Sequence, residues 1–93
     1  MVVFAQCPPG NVVLTTQAQV NQFAVDYPSC TIINGYLQIG AGNTTTPGSD
    51  ITNLTSLGNI TTINNNLYIQ NNAILQNVDG LNIESVGGFL FIG

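Results

Sequence analysis

The 93-residue sequence contains no lysine, arginine or histidine, and its four acids give a formal net charge of −4. Proteins hold nucleic acids and anionic membrane surfaces largely through Lys and Arg, so neither is an expected partner. The acids are dispersed along the chain, at Asp26, Asp50, Asp79 and Glu84. With no histidine and no D-x-D spacing, the sequence predicts neither a zinc site nor an EF-hand calcium site, and no cofactor is expected.

The residues that remain also argue against catalysis. Without His or Lys, proton transfer would fall to Asp, Glu, Tyr or Cys, and the cysteines are better explained by a disulfide. Asp79 and Glu84 are close in sequence, but a hydrolase with paired carboxylates needs two acids across a cleft. We interpret both as solvated turn residues and predict that the protein is not an enzyme.

Cysteines and long hydrophobic runs are equally scarce. No apolar stretch approaches the ~20 residues that a membrane-spanning helix needs. The two cysteines, Cys7 and Cys30, fit a single disulfide in a secreted chain. Residues 1–6 look like the tail of a secretory signal, with Val3-Phe4-Ala5 as its cleavage site. The alternative for these residues is a short apolar lead-in that packs on the fold, and we prefer the signal remnant.

What the sequence does have is a regular spacing of aliphatic residues. Five of them fall three apart and two more fall two apart, in the series Ile51, Leu54, Leu57, Ile60, Ile63, Leu67 and Ile69. A spacing of three fits neither an amphipathic helix nor a strand, whereas Leu67-Tyr68-Ile69 alternates as a half-buried strand does. The series therefore predicts one coil of a solenoid, whose core is completed by neighbouring coils.

The same pattern recurs on both sides of this coil. Downstream, the aliphatic residues Leu75, Val78, Leu81, Ile83 and Val86 precede a second strand pattern at 89–92. Upstream, residues 33–39 match residues 63–69. Ile63 and Val86 lie 23 positions apart, and leucine-rich-type repeats are about 20–29 residues long. A Gly-, Thr- and Pro-containing loop at 41–50 accounts for the longer first repeat.

One helix is predicted, near the N-terminus. Thr16 is a candidate N-cap, and Gln19 lies three residues later, as a capping box requires. The helix presents one apolar face, made of Val20, Phe23 and Ala24, and Pro28 ends it. At the end of a solenoid such a helix shields the first coil.

The corners of the coils are rich in Asn and Gly. The dipeptides Asn34-Gly35, Asn64-Asn65 and Gly87-Gly88 precede the strands, and their residue types predict backbone with positive φ. Asn71-Asn72 follows the middle strand. It either bonds backbone groups at the next corner or forms a solvated turn.

If the aliphatic residues of the strands face the core, the alternate residues point outward. These outward residues are Tyr36, Gln38, Asn66, Tyr68, Phe89 and Phe91. They are either a binding platform for a glycan or a partner protein, or rings that stabilise the sheet through cross-strand pairs. We prefer the second interpretation for the rings and keep the first as a hypothesis.

Several of these segments together resemble the start of receptor L domains. The resemblance rests on residues 7–14, 17–20 and 30–39, and the later coils at 54–72 and 78–92 look like further repeats. It implies a mainly β fold over residues 7–93: a short right-handed parallel β-helix, or leucine-rich-repeat-like solenoid, of about three coils with one N-terminal capping helix and a Cys7–Cys30 bridge. The abundance of Asn and Thr looks most like the bacterial cell-surface members of that family.

We therefore predict a secreted or cell-surface, non-enzymatic solenoid module with a structural or adhesive role. The alternative is a carbohydrate- or protein-binding receptor module that uses the outward aromatic face. Its expected partners are a protein or glycan at the cell surface, or further repeats of the same chain. The array reaches Gly93 without a capping element, so we expect the native chain to continue, or this end to dock or self-associate. Asn-x-Ser/Thr sequons at Asn43, Asn53 and Asn59 are interpreted as chance occurrences.

Overall fold

The computed structural model describes residues 7–40, 50–72, 75 and 80–93. The helices are α1 (Gln17–Asp26) and one 3-10 turn (Thr55–Leu57). The strands are β1 (Val12–Leu14), β2 (Ile32–Ile33), β3 (Leu37–Ile39), β4 (Thr62–Ile63), β5 (Leu67–Ile69), β6 (Ser85–Val86) and β7 (Leu90–Ile92). The signal remnant at 1–6, residues 41–49 of the predicted loop at 41–50, and the residues Val78 and Asp79 lie outside the described residues.

The strands form two parallel sheets that run along the stack. One has four strands in the order β1-β3-β5-β7, and the other has three in the order β2-β4-β6. In the larger sheet Leu37 pairs with Leu67, and Leu67 with Leu90. These leucines therefore lie in successive layers, and the predicted β-solenoid with one N-terminal helix is confirmed.

The triplet spacing builds the core of the middle coil. Its five aliphatic residues are all buried: Ile51, Leu54, Leu57, Ile60 and Ile63 are 0–2% exposed. Every third residue of this segment points into the core, while the backbone between them changes direction at the 3-10 turn. In the following coil Leu75, Leu81, Ile83 and Val86 are partly buried and pack against the same core.

The helix begins where the sequence predicted. The Thr16 side chain accepts a hydrogen bond of 3.1 Å from the Gln19 backbone N–H. The Gln19 side chain reaches back one residue further than a capping box does, because its Oε1 accepts from the Thr15 N–H at 2.8 Å. Val20 and Phe23 are buried, and Ala24 is half-buried.

The helix is one side of the first coil and stacks directly on the 3-10 turn of the second. Gln17 makes this junction. Its Oε1 accepts from the backbone N–H groups of Thr52 and Asn53 at 2.9 and 3.0 Å, and its Nε2 donates to the Asn53 carbonyl at 2.9 Å. The Gln17 side-chain amide thus both accepts and donates hydrogen bonds with the backbone of the second coil, as the backbone of a neighbouring strand would. The helix α1 therefore closes the first coil and also covers the second.

The prediction of positive φ before each strand is wrong. Positive φ occurs instead at Gly10, Gly40 and Asn71, with values of 80°, 108° and 55°. Glycine before the strands serves close approach between coils. A Cβ at Gly35 would lie 2.7 Å from the carbonyl carbon of Gly10, and one at Gly88 would overlap the side-chain oxygen of Asn66.

A disulfide joins Cys7 to Cys30, with the two Cα atoms 4.8 Å apart and a sequence separation of 23. Cys30 is 1% exposed and belongs to the core, and Cys7 packs against it. On the chain-entropy estimate, closing a loop of this length stabilises the fold by about 3 kcal/mol. The bridge therefore fixes the N-terminal segment to the chain that leads into β2.

Candidate functional site: the outward face of the four-stranded sheet

The register of the larger sheet places the predicted site residues in two outward columns. Val13, Gln38, Tyr68 and Phe91 are paired residues of β1, β3, β5 and β7. Asn11, Tyr36, Asn66 and Phe89 each directly precede one of these strands and form the second column. We call these eight residues the outward face. All eight are uncharged.

Three of the rings touch one another across the columns. The Tyr68 ring lies 5.6 Å from the Tyr36 ring and 5.7 Å from the Phe89 ring, measured between centroids, and both contacts are edge-to-face. Contacts of this geometry are favourable by roughly 0.5–1.5 kcal/mol each beyond the area that they bury. Tyr68 is therefore the central ring of a chain that links three consecutive coils.

Asn66, in the second outward column, hydrogen-bonds to two members of this chain of rings. Its Oδ1 accepts from the Phe89 backbone N–H at 3.0 Å, and its Nδ2 donates to the Tyr68 hydroxyl oxygen at 2.9 Å. The Tyr68 hydroxyl oxygen accepts this bond, which fixes the position of its ring. The structure gives Asn66 a positioning role for Tyr68 and Phe89.

The face divides into a half-buried part and an exposed part. Tyr36, Tyr68, Gln38 and Asn66 are all half-buried. Phe89 and Phe91 are 57% and 47% exposed, and Val13 at the opposite edge is 45% exposed. Phe91 does not join the chain of rings, because its ring lies over Gly93, where an added Cβ would meet it at 2.7 Å. Gln38 turns its Nε2 to the Gly40 carbonyl at 3.3 Å.

The three acids that the structure describes lie elsewhere. The Asp50 side chain accepts from the Gln17 backbone N–H at the start of α1, at 2.8 Å, and Asp26 accepts from Gln22 at the end of that helix, at 2.9 Å. Glu84 is exposed next to β6 in the smaller sheet. Among the described residues no cluster of three or more His, Cys, Asp or Glu has a geometry that would hold a metal ion.

Two polar residues build corners between coils: Asn11, which sequence reasoning missed, and Asn72, for which it left two possibilities open. Asn11 Oδ1 accepts from the Tyr36 backbone N–H at 3.0 Å. Asn72 Nδ2 donates to the Ile39 carbonyl in the preceding coil at 3.1 Å, one of the two possibilities left open for Asn71-Asn72. Aligning Asn11 with Asn66, each one residue before a strand, would have revealed the first of these.

Two of the three sequons are described. The Asn53 side-chain oxygen accepts from both the backbone N–H and the hydroxyl of Thr55, two residues later. Asn59 donates from Nδ2 to the Pro28 carbonyl at 3.1 Å. Both asparagines take part in local or coil-to-coil bonding, and Asn43 lies outside the described residues.

These features define a class: a small parallel β-solenoid with a disulfide at its N-terminal coil and an uncharged aromatic face on its larger sheet. The chain belongs to the receptor L domain family, which matches residues 29–89. No curated protein and no solved structure matches the chain. Receptor L domains are non-catalytic modules that are typically extracellular and bind ligands, and no enzyme family matches this chain.

The family match covers the middle of the outward face and leaves out part of both edges. It includes the chain of rings from Tyr36 to Phe89 and leaves out Asn11, Val13 and Phe91. Within the described residues, the structure contains no helix with the length and hydrophobicity to span a bilayer.

Proposed function

We propose that this receptor L domain is an adhesive module of a secreted or cell-surface protein, and that its outward face binds a partner protein. The single observation that carries the proposal is the exposure of Phe89 and Phe91, at 57% and 47%, on an uncharged sheet face. Exposed aromatic residues set in a rigid surface are the residue type that anchors protein interfaces. Without a basic side chain, the face selects a neutral or cationic partner over an anionic one.

The contacts within the face support this assignment. Tyr36 and Tyr68 are fixed by their edge-to-face contact, and Asn66 holds Tyr68 through a hydrogen bond of 2.9 Å. A face that is already ordered loses little conformational entropy on binding. Residues 1–6 are proposed to be the remnant of a secretion signal and residues 7–93 the module itself. The abundance of Asn and Thr supports an origin among bacterial surface proteins.

A structural role without a ligand is the second candidate. It is favoured by the same ring contacts, since Tyr68 packs against Tyr36 and Phe89 at 5.6 and 5.7 Å and thereby joins three coils. On this hypothesis the rings serve only the stability of the sheet. The two candidates differ in what happens when an exposed ring is removed: binding is lost in the first, and only stability changes in the second.

The test uses fluorescent tetramers of the chain and flow cytometry on a panel of cells. Phe91→Ser is expected to reduce binding at least about tenfold, as for an interface anchor, without changing the melting temperature. Ile32→Ser is the matched control, because Ile32 is 45% exposed on the other sheet. Equal binding by the wild type and both variants would overturn the proposal.

Pretreatment of the cells identifies the class of partner. Trypsin is expected to abolish Phe91-dependent binding, and glycosidases are expected to leave it intact. Loss after glycosidase treatment alone would replace the protein partner by a carbohydrate. Retained binding together with a lower melting temperature for Tyr36→Ala and Tyr68→Ala would favour the purely structural role.

A further inference from the structure

Asn34 and Gly35 form the only Asn-Gly pair in the 93-residue sequence. In such a pair the backbone nitrogen of the second residue can attack the side-chain carbonyl carbon of the asparagine, because glycine has no side chain that hinders the approach. Asn34 is exposed at the corner between β2 and β3, so water reaches its side chain. The chemistry of the two residue types makes Asn34 a candidate site of deamidation.

The reaction needs only water. The backbone nitrogen of Gly35 loses its proton and forms a bond to Asn34 Cγ. The bond from Cγ to Nδ2 then breaks, and ammonia leaves behind a five-membered succinimide. Water opens this ring at one of its two carbonyl carbons, which gives an aspartate or an isoaspartate at position 34. Either product carries one more negative charge than asparagine.

In the folded chain the attacking nitrogen is held by the N-terminal segment, residues 7–14. Gly35 N–H donates to the Gly10 carbonyl at 3.1 Å, and the next amide, Tyr36 N–H, donates to Asn11 Oδ1 at 3.0 Å. Gly35 is buried, and an added Cβ there would lie 2.7 Å from the Gly10 carbonyl carbon. These contacts keep the proton on the Gly35 nitrogen and fix its position, so attack on Asn34 Cγ is blocked while the segment stays docked.

The protecting segment is attached to the stack at two places. Its start is joined to Cys30 by the disulfide, and its strand β1 has β3 as its one neighbour among the described strands. Segments with few partners open locally at a lower free energy than the whole fold. Each local opening frees the Gly35 nitrogen and removes the protection of Asn34.

We propose that Asn34 is a deamidation site that the docked N-terminal segment keeps closed, so that release of this segment is converted into an irreversible covalent change. An isoaspartate lengthens the main chain by one atom between Ile33 and Leu37, which are both 0% exposed in the core. The N-terminal segment then no longer regains its register with β3. This inference is independent of the proposed function, because it requires no ligand on the outward face.

Incubation of the intact chain at neutral pH, followed by mass spectrometry of chymotryptic peptides, measures the conversion at Asn34. The same chain, reduced and denatured in guanidinium, gives the unprotected rate. Folding is expected to slow deamidation by about tenfold or more, because only the open fraction reacts. Asn34→Gln is expected to remain unmodified when denatured, since its side chain would have to close a six-membered ring. A folded rate within tenfold of the denatured rate, or equal conversion of Asn34→Gln, overturns the proposal.

Two matched variants separate local release from global unfolding. Asn11→Ala removes the acceptor of the Tyr36 N–H and is expected to accelerate deamidation of the folded chain about tenfold. Asn66→Ala removes the equivalent bond to the Phe89 N–H between later coils, and it is expected to leave the rate unchanged. Equal rates in the two variants would mean that Asn34 reacts only from the globally unfolded chain, which contradicts the proposal.

Hydrogen exchange of the wild type is a second measurement that needs no variant. The Gly35 N–H is bonded to the N-terminal segment, whereas the Leu37 N–H donates to the Asn66 carbonyl in the following coil at 3.0 Å. Local release therefore exposes the first amide and leaves the second bonded. Gly35 is expected to exchange about tenfold faster than Leu37 or more, by a factor that matches the protection against deamidation. Equal exchange of the two amides overturns the local mechanism.

Discussion

The side-chain oxygen of Asn66 accepts a hydrogen bond of 3.0 Å from the backbone N–H of Phe89, the residue at the equivalent position one coil later. Asn11 makes the same bond to Tyr36, also at 3.0 Å. The position before each strand therefore joins one coil to the next through a side chain. Before β3 the equivalent residue is Tyr36, whose ring contacts the Tyr68 ring of the following coil. Along this column the contacts between coils are thus made in turn by an amide, a ring and an amide.

Replacing Asn66 by alanine is expected to lower the free energy of unfolding by about 1–2 kcal/mol, because the Phe89 N–H and the Tyr68 hydroxyl both lose a partner. Chemical denaturation measures the change. Asn65→Ala is the control, since Asn65 is exposed and its backbone carbonyl, unaffected by the substitution, makes the bond to Gly88. We expect a change within about 0.5 kcal/mol for the control. Equal losses in both variants would contradict the role given to Asn66.

Ile33 and Ile32 provide a matched test of the solenoid core. They are neighbours in β2, but Ile33 is 0% exposed and Ile32 is 45% exposed. Ile33→Ala is expected to cost about 2–5 kcal/mol through lost burial and the cavity that remains. Ile32→Ala is expected to cost less than about 1 kcal/mol, since most exposed substitutions are mild. If thermal denaturation showed the larger loss for Ile32, the register of the smaller sheet would be wrong.

Gln17→Ala is expected to loosen the junction between α1 and the second coil. The substitution removes the acceptor of the Thr52 and Asn53 N–H groups and the donor to the Asn53 carbonyl. Hydrogen exchange of these two amides, followed by NMR or mass spectrometry, is expected to accelerate, with a loss of about 1–3 kcal/mol in protection. Gln22→Ala serves for comparison, because Gln22 bonds only within the helix, to Asp26 at 2.9 Å. Unchanged exchange at Thr52 and Asn53 would show that water replaces the Gln17 amide without loss.

The repeat spacing was sufficient to predict the columns of the core. Ile51 and Ile63 are buried, as the spacing of three between the aliphatic residues of this coil predicted. The helix start was equally legible, since the Thr16 cap depends only on residues within one turn. Features that depend on local geometry or on the repeat spacing can be recognised within a single coil. Comparison of the coils then predicts which residues of neighbouring strands pair.

The reason for the corner glycines was not legible in this way. Residue type alone predicted positive φ at Gly35 and Gly88, whereas the structure requires glycine there because the backbone of Gly10 and the side chain of Asn66 approach from the preceding coil. The Gln17 bonds and the contact of Tyr68 with two rings have the same origin. Each joins residues at least 21 positions apart whose proximity exists only once the coils are stacked.

The sequence by itself determined the solenoid, its helix and the absence of any basic side chain, because periodicity, capping and composition are properties of the chain before it folds. Only the tertiary structure decided which outward residues touch and how Asn66 positions them. The physical reason is that burial is a property of neighbours. Leu67 and Leu90 have the same residue type and the same place in the repeat, and they are 3% and 56% exposed because only one of them has a coil on both sides.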